Sequence, residues 1–166
     1  MEKGQDNFIL YYNQFKDKIY NYFFYRVGFD RLLAEDLTSE VFVKALKSFD
    51  NFDKNKKFQP WIYTIAHNHL VNHYAAYKRL EPLESVEPVA VQYSDRSAEN
   101  NYELDRIIKI IDRMDSNDRE VLRLKFIDEL STQEIAAILL KEEGAVRTQI
   151  SRSLNKLRQM LGGDKL

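Results

Sequence analysis

Apolar residues recur at intervals of three and four along most of the chain, the spacing that lines one face of an α-helix. Phe8, Tyr12, Phe15, Ile19, Tyr22 and Phe23 keep this rhythm and predict a helix over about residues 7–26, with Gly28 placed to end it. Leu33, Leu37, Val41, Ala45 and Phe49, widened by Phe42 and Leu46, predict a second helix over about residues 32–49, with Asp30 as its N-cap. A polar loop of Asn, Asp and Lys covers residues 50–57. Residues 58–79 then predict a third helix, with Pro60 in its first turn, where a missing N–H costs nothing. Its expected buried stripe is Ile62, Ile65, Ala66, His69, Leu70, His73 and Tyr77.

The pattern then lapses. Residues 80–101 carry Pro82 and Pro88, many acidic groups and no helical stripe, and read as a flexible acidic linker. Periodicity resumes near Tyr102 with Leu104, Ile107, Ile108, Ile111 and Met114. A turn at residues 115–118 precedes a helix through Val121, Leu122, Leu124, Lys125 and Phe126. Ser131 and Glu134 have capping-box spacing and open a short helix that includes the small pair Ala136 and Ala137. After a short turn, a longer basic helix runs from Glu143 to about Leu161 on a stripe of Val146, Ile150, Leu154 and Leu157. A short helix, a tight turn and a longer basic helix form the helix-turn-helix pattern. The expected fold is therefore all-α: two small helical domains, residues 1–79 and 102–166, joined by the linker.

Composition supports this reading. Few Gly and Pro and many Leu, Ile, Lys and Glu favour helix over a β-sandwich. With no Cys, disulfides and thiolate metal sites are excluded, and a reducing compartment is compatible. The polar start and the lack of a long apolar run lead us to expect a cytoplasmic protein without membrane insertion. Net charge is −1, but it is unevenly spread. Residues 1–79 hold 12 Lys/Arg against 9 Asp/Glu, and residues 80–103 hold 1 against 6. From Gly144 onward the count is 5 against 1. Two basic surfaces flank an acidic connector, and such local fields govern association with anions more than the total does.

Two stretches carry candidate chemistry. Around residues 58–79, Trp61 and Tyr63 offer rings, His67 an imidazole, Asn68 and Asn72 amides, and Lys57 a cation just before. Rings stack on bases, amides bond base edges and cations hold phosphates. On the last helix, Arg147, Thr148, Gln149, Ser151, Arg152 and Lys156 are expected to share an outer face suited to the major groove. His69 and His73 are four apart, but no third ligand stands near, so packing is expected rather than a metal site. No phosphate loop, HExxH motif or nucleophile–base constellation is present, so neither an enzyme nor a bound cofactor is expected.

The two stretches AEDLTSEVFVKALKSF (residues 34–49) and FQPWIYTIAHNHLVNHYAAYKR (58–79) resemble region two of the small bacterial sigma factors of the extracytoplasmic-function group. Residues 104–158 resemble region four of the same group. The resemblance implies an RNA polymerase sigma factor with three interfaces. Asp36, Leu37, Glu40, Val41 and Phe42 would meet the clamp helices of the largest polymerase subunit. Lys57, Trp61, Tyr63, His67, Asn68 and Asn72 would hold a flipped base and open the −10 element. Arg147, Thr148, Gln149, Ser151, Arg152 and Lys156 would read the −35 duplex. Core RNA polymerase and promoter DNA are the implied partners, with an anti-sigma factor as a further candidate. The chain departs from the family with Leu140 where the turn usually has Gly; either Leu140 enters the left-handed region at a cost of about 1–2 kcal/mol, or the turn is rearranged. It also has Glu142 at a usual Ser cap, His67 for a frequent Arg and Gln149 for a frequent basic residue. A free-standing helix-turn-helix regulator or a non-DNA helical adaptor would be the alternatives.

Overall fold

Among the residues the computed structural model describes, 2–80 and 102–163, every regular element is helical. The chain divides into two units. The linker read at 80–101 lies outside the described residues, except that Leu80 still belongs to the third helix.

In the first unit α1 (Glu2–Phe24), α2 (Arg31–Ser48) and α3 (Phe58–Leu80) pack mutually. Phe8, Phe15, Ile19, Tyr22 and Phe23 of α1 are buried as their spacing predicts. Tyr12 stays 41% exposed, its ring meeting Phe42 edge-on at 4.9 Å. Ala34, Leu37, Val41, Phe42 and Ala45 fill the α2 side, while Leu46, expected to widen that stripe, faces outward. Gly28 ends the first helical segment with a φ of 69°, and Phe29 follows at 64°. A phenylalanine is costly in the left-handed region. Here its ring is buried edge-on against Phe24 and Tyr25, at centroid distances of 5.2 and 5.9 Å, and that burial offsets the strain. Asp30 then caps α2 as expected, its side chain accepting from the Leu33 N–H at 3.1 Å.

Between α2 and α3 the chain makes a 3₁₀ turn (Phe49–Asn51) and a short loop. Phe52, which has no periodic neighbours in the sequence, is buried and lies parallel to Phe49. Asp53 closes the loop, accepting from the N–H of Asn55 at 3.0 Å through its side chain and from that of Lys56 at 2.9 Å through its carbonyl.

In the second unit α4 (Tyr102–Ile111), α5 (Ser116–Leu122), α6 (Thr132–Leu139) and α7 (Glu143–Gly163) enclose a core of Ile110, Ile111, Met114, Leu122 and Leu157. The α4 stripe is rotated from its sequence reading: Ile110 is buried and Ile107 half-exposed. The helix expected through Phe126 ends at Leu122, and a π-helical turn (Arg123–Ile127) follows. There the Asp128 N–H reaches the Arg123 carbonyl at 3.0 Å, which leaves Phe126 half-exposed. The capping box at α6 forms, Ser131 Oγ accepting from the Glu134 N–H at 3.1 Å and Glu134 Oε2 from the Ser131 N–H at 2.9 Å. The turn after α6 is not rearranged. Leu140 takes the left-handed conformation itself, φ 53° and ψ 46°, with its side chain 92% exposed.

One charged side chain organises the second unit. Asp118 is 1% exposed and collects hydrogen bonds from Ser153 Oγ at 2.5 Å, Gln149 Nε2 at 2.5 Å and Lys156 Nζ. Burial pushes its pKa up, but the hydrogen bonds from Lys156 and Ser153 and the Lys156 charge oppose this, and it is held at about 2, against an ordinary 3.8. The bond to Asp118 in turn raises the Lys156 ammonium.

Two outcomes are expected. Leu140→Gly should raise the stability of the second unit by about 0.5–1 kcal/mol, since Gly removes the left-handed penalty and no burial is lost; thermal melting measures it. The Asp118 contribution, about 2 kcal/mol, is complete above the unfolded pKa of 3.8 and is lost as pH falls through about 2. Asp118→Asn should melt lower at neutral pH and converge with the parent near pH 2; a constant difference across that range would refute the assignment.

Candidate nucleic-acid interface

The loop and the start of α3 build the first candidate surface. Phe52 and Phe58 pack on Trp61 at centroid distances of 4.8 and 5.3 Å and hold its indole half-buried at the surface. Lys54, Lys56 and Lys57 are exposed beside it. Trp61, Ile65, Asn68 and Asn72 follow at intervals of four, three and four, so indole and amides share one face. Both Asn side chains are exposed. Thr64 is half-buried and donates its hydroxyl to the Pro60 carbonyl at 2.7 Å. Phe52 is the residue that sequence reasoning missed here: an isolated apolar position in a polar loop was its only signal.

Two of the expected residues stand elsewhere. Tyr63 is 1% exposed and meets Tyr22 edge-on at 5.6 Å, so its ring belongs to the core instead of the outer face. The reason is geometric: position 63 points back at α1, whose ring-rich stripe has room for it. His67 is half-buried, with Nδ1 3.5 Å from the Tyr22 hydroxyl, on a different side of α3 from Asn68. His69 is largely buried, its imidazole 11% exposed and edge-on to Phe23, but His73 is half-buried and Tyr77 exposed, so the buried stripe ends at Leu70. Besides packing, His69 makes polar contacts with Glu40 and Lys44.

The polymerase-facing set divides in the same way. Asp36 and Glu40 are exposed on α2. Leu37, Val41 and Phe42 are buried in the helical core. The apolar side chains α2 does expose are Leu32, Val43 and Leu46.

The second surface lies on α7. Arg147, Thr148, Ser151 and Arg152 are exposed and recur at one, three and one, a single face. Arg147 is held by Glu143 at 2.8 Å, and Thr148 donates to the Gly144 carbonyl at 3.0 Å. Gln149 and Lys156, expected on this face, turn the other way. Both donate to Asp118, and Gln149 also reaches Ser153 at 3.3 Å. A buried carboxylate demands donors, and these two side chains supply them. Sequence reasoning missed Glu143 and Asn155 as exposed neighbours of the basic face; their helical offsets from Arg147 and Arg152 were the available signal. No group of three or more His, Cys, Asp or Glu able to hold a metal ion occurs among the described residues. No described helix is long and apolar enough to cross a membrane.

The two surfaces coincide with two family models. Residues 11–80 match sigma-70 region 2, and residues 104–157 match sigma-70 region 4. The chain is 32% identical over 174 residues to the ECF RNA polymerase sigma factor SigW of Bacillus subtilis, covering 97% of this chain and 92% of that one. It is 30% identical over 164 residues to the ECF RNA polymerase sigma factor BldN of Streptomyces coelicolor; that alignment covers 96% of this chain and 62% of the longer relative. The fold is also similar to that of the sigma factor RpoE from Bartonella quintana, solved in complex with the anti-sigma factor NepR. There the TM-score is 0.71 at 20% identity, over 99% of this chain and 100% of that one. With both regions matched in order along one chain, and a relative at 32% identity covered over nearly its whole length, the chain belongs to the ECF family of RNA polymerase sigma factors.

Proposed function

We propose that this chain is the promoter-specificity subunit of a bacterial RNA polymerase, acting in the cytoplasm, where it binds core enzyme and promoter DNA and an anti-sigma factor can hold it in reserve. The chain itself performs no covalent chemistry in this reading; it directs that of the polymerase. The observation that carries the proposal is the presence, in one chain and in family order, of a ring-and-amide face on α3 and a capped helix-turn-helix ending in a basic face on α7.

The unit of residues 1–79 takes the −10 element. Trp61 offers an apolar ring wall at its face, Asn68 and Asn72 offer amides to a base edge, and the lysines 54, 56 and 57 attract the opened strand. Extruding a base costs a few kcal/mol, which stacking and edge hydrogen bonds offset. The unit of residues 102–166 takes the −35 duplex, with Arg147, Thr148, Ser151 and Arg152 in the major groove and the Arg forks suited to guanine. Gln149 and Lys156 act from the inner side, orienting α7 through Asp118. Asp36 and Glu40, exposed on α2, supply negative charge for basic groups of the clamp. A free-standing helix-turn-helix regulator would leave the region 2 match over residues 11–80 without a task.

The division of labour is separable. Arg152→Ala should weaken binding to a −35 duplex roughly tenfold or more, the scale of one lost bidentate base contact. Asn68→Ala should leave that duplex binding intact and lower open-complex formation, read by permanganate reactivity at the −10 element. If both variants fail at the same step, the assignment of α7 to −35 and α3 to −10 is wrong.

A further inference from the structure

Where α2 meets α3, a single imidazole has both of its nitrogens engaged. His69 Nε2 lies 2.6 Å from Glu40 Oε2, and Nδ1 lies 2.8 Å from Lys44 Nζ. With its proton on Nε2 the ring donates to the carboxylate and accepts from the ammonium, so one tautomer satisfies both contacts. The imidazole is 11% exposed and the Glu40 side chain 59%. Phe23 meets the imidazole edge-on at 6.4 Å, which fixes the plane of the ring.

Glu40 and Lys44 are four residues apart on α2, with the carboxylate nearer the N-terminus. That is the arrangement in which the two side chains ordinarily pair with each other. Here the imidazole stands between them. Glu40 Oε2 takes a hydrogen bond from the ring, and Oε1 takes none among the described residues, so a charged acceptor remains at the surface. Asp36 stands one turn earlier on α2 and is exposed as well.

We propose that His69 is a positioning residue for polymerase docking: wedged between Lys44 and Glu40, it keeps the ammonium off the carboxylate and leaves Glu40 to a basic side chain of the polymerase. The proposal rests on the reading that Glu40 faces core enzyme. Without the ring, Lys44 swings onto Glu40, neutralises it and competes with the incoming cation. The imidazole thus converts an intrahelical ion pair into an intermolecular one, and it anchors the α2 docking face to α3.

The test is the affinity of labelled full-length chain for core RNA polymerase at low and moderate salt, with melting curves as a control for folding. Glu40→Ala should weaken binding about fivefold, the scale of one exposed ion pair. His69→Ala should weaken it about as much. Adding Lys44→Met to His69→Ala should return affinity to within about twofold of Lys44→Met alone, because the competing cation is gone. His69→Leu fills the ring's space without either hydrogen bond and gives the same comparison if the Ala variant does not fold. Wild-type affinity in the His69 variants, or a loss that Lys44→Met does not relieve, overturns the proposal. No loss in Glu40→Ala shows instead that the docking reading of Glu40 is wrong, and the role of His69 falls with it.

Discussion

Contact among the rings of Phe49, Phe52, Phe58 and Trp61 decides where the first candidate surface sits. Phe49 follows α2 in the 3₁₀ turn, Phe52 lies in the loop, and Phe58 and Trp61 open α3, with centroids 4.8–6.4 Å apart. Tyr11 of α1 stacks on Phe58 at 4.2 Å and closes the cluster from the other side. Each such pair contributes about 0.5–1.5 kcal/mol beyond the area it buries. The polar loop is otherwise ordered by the two hydrogen bonds that Asp53 accepts. Anchored at Phe52 on the Trp61 ring, the Lys-rich loop is held at the indole end of α3, so cations and a stacking surface stand near one another before any DNA arrives. Pre-formed placement of this kind lowers the entropy that binding must otherwise overcome.

In the second unit the corresponding constraint is electrostatic. A carboxylate placed almost wholly out of water must be hydrogen-bonded, and Asp118 recruits Ser153, Gln149 and Lys156 from one side of α7. Those donors recur at four and three residues, so together they set the rotation of α7 about its axis. The adjoining face, with Arg147, Thr148, Ser151 and Arg152, is thereby turned outward. The left-handed Leu140 sets the direction in which α7 leaves the turn. Its side chain is exposed, so the fold retains a strained turn with no local compensation from burial.

Both units show one chemical economy: polar side chains that look available for a partner are in part used internally. Gln149 and Lys156 serve the buried carboxylate, and His69 serves Glu40 and Lys44. The groups left for partners are fewer than the sequence suggests, and each has neighbours that orient it. Arg147 is steadied by Glu143 and Trp61 by three phenylalanines.

Local rules made much of this protein legible without a structure. Three-and-four spacing located the helices, and the short-range chemistry of Gly28, Asp30, Ser131 and Glu134 marked their ends, because caps and turns involve partners only a few residues away. The order of the two motifs was enough to suggest the family. Tertiary structure decided which way the side chains on those helices face. Tyr63 is buried because α1 presents a ring to meet it. Leu37, Val41 and Phe42 are buried because α2 packs against α1 and α3, and Gln149 turns inward because Asp118 lies across from it in space and 31 positions away in sequence. A helical period fixes the angles between side chains on one element. The absolute rotation of that element depends on contacts with others, and those contacts bring together residues that no local pattern connects.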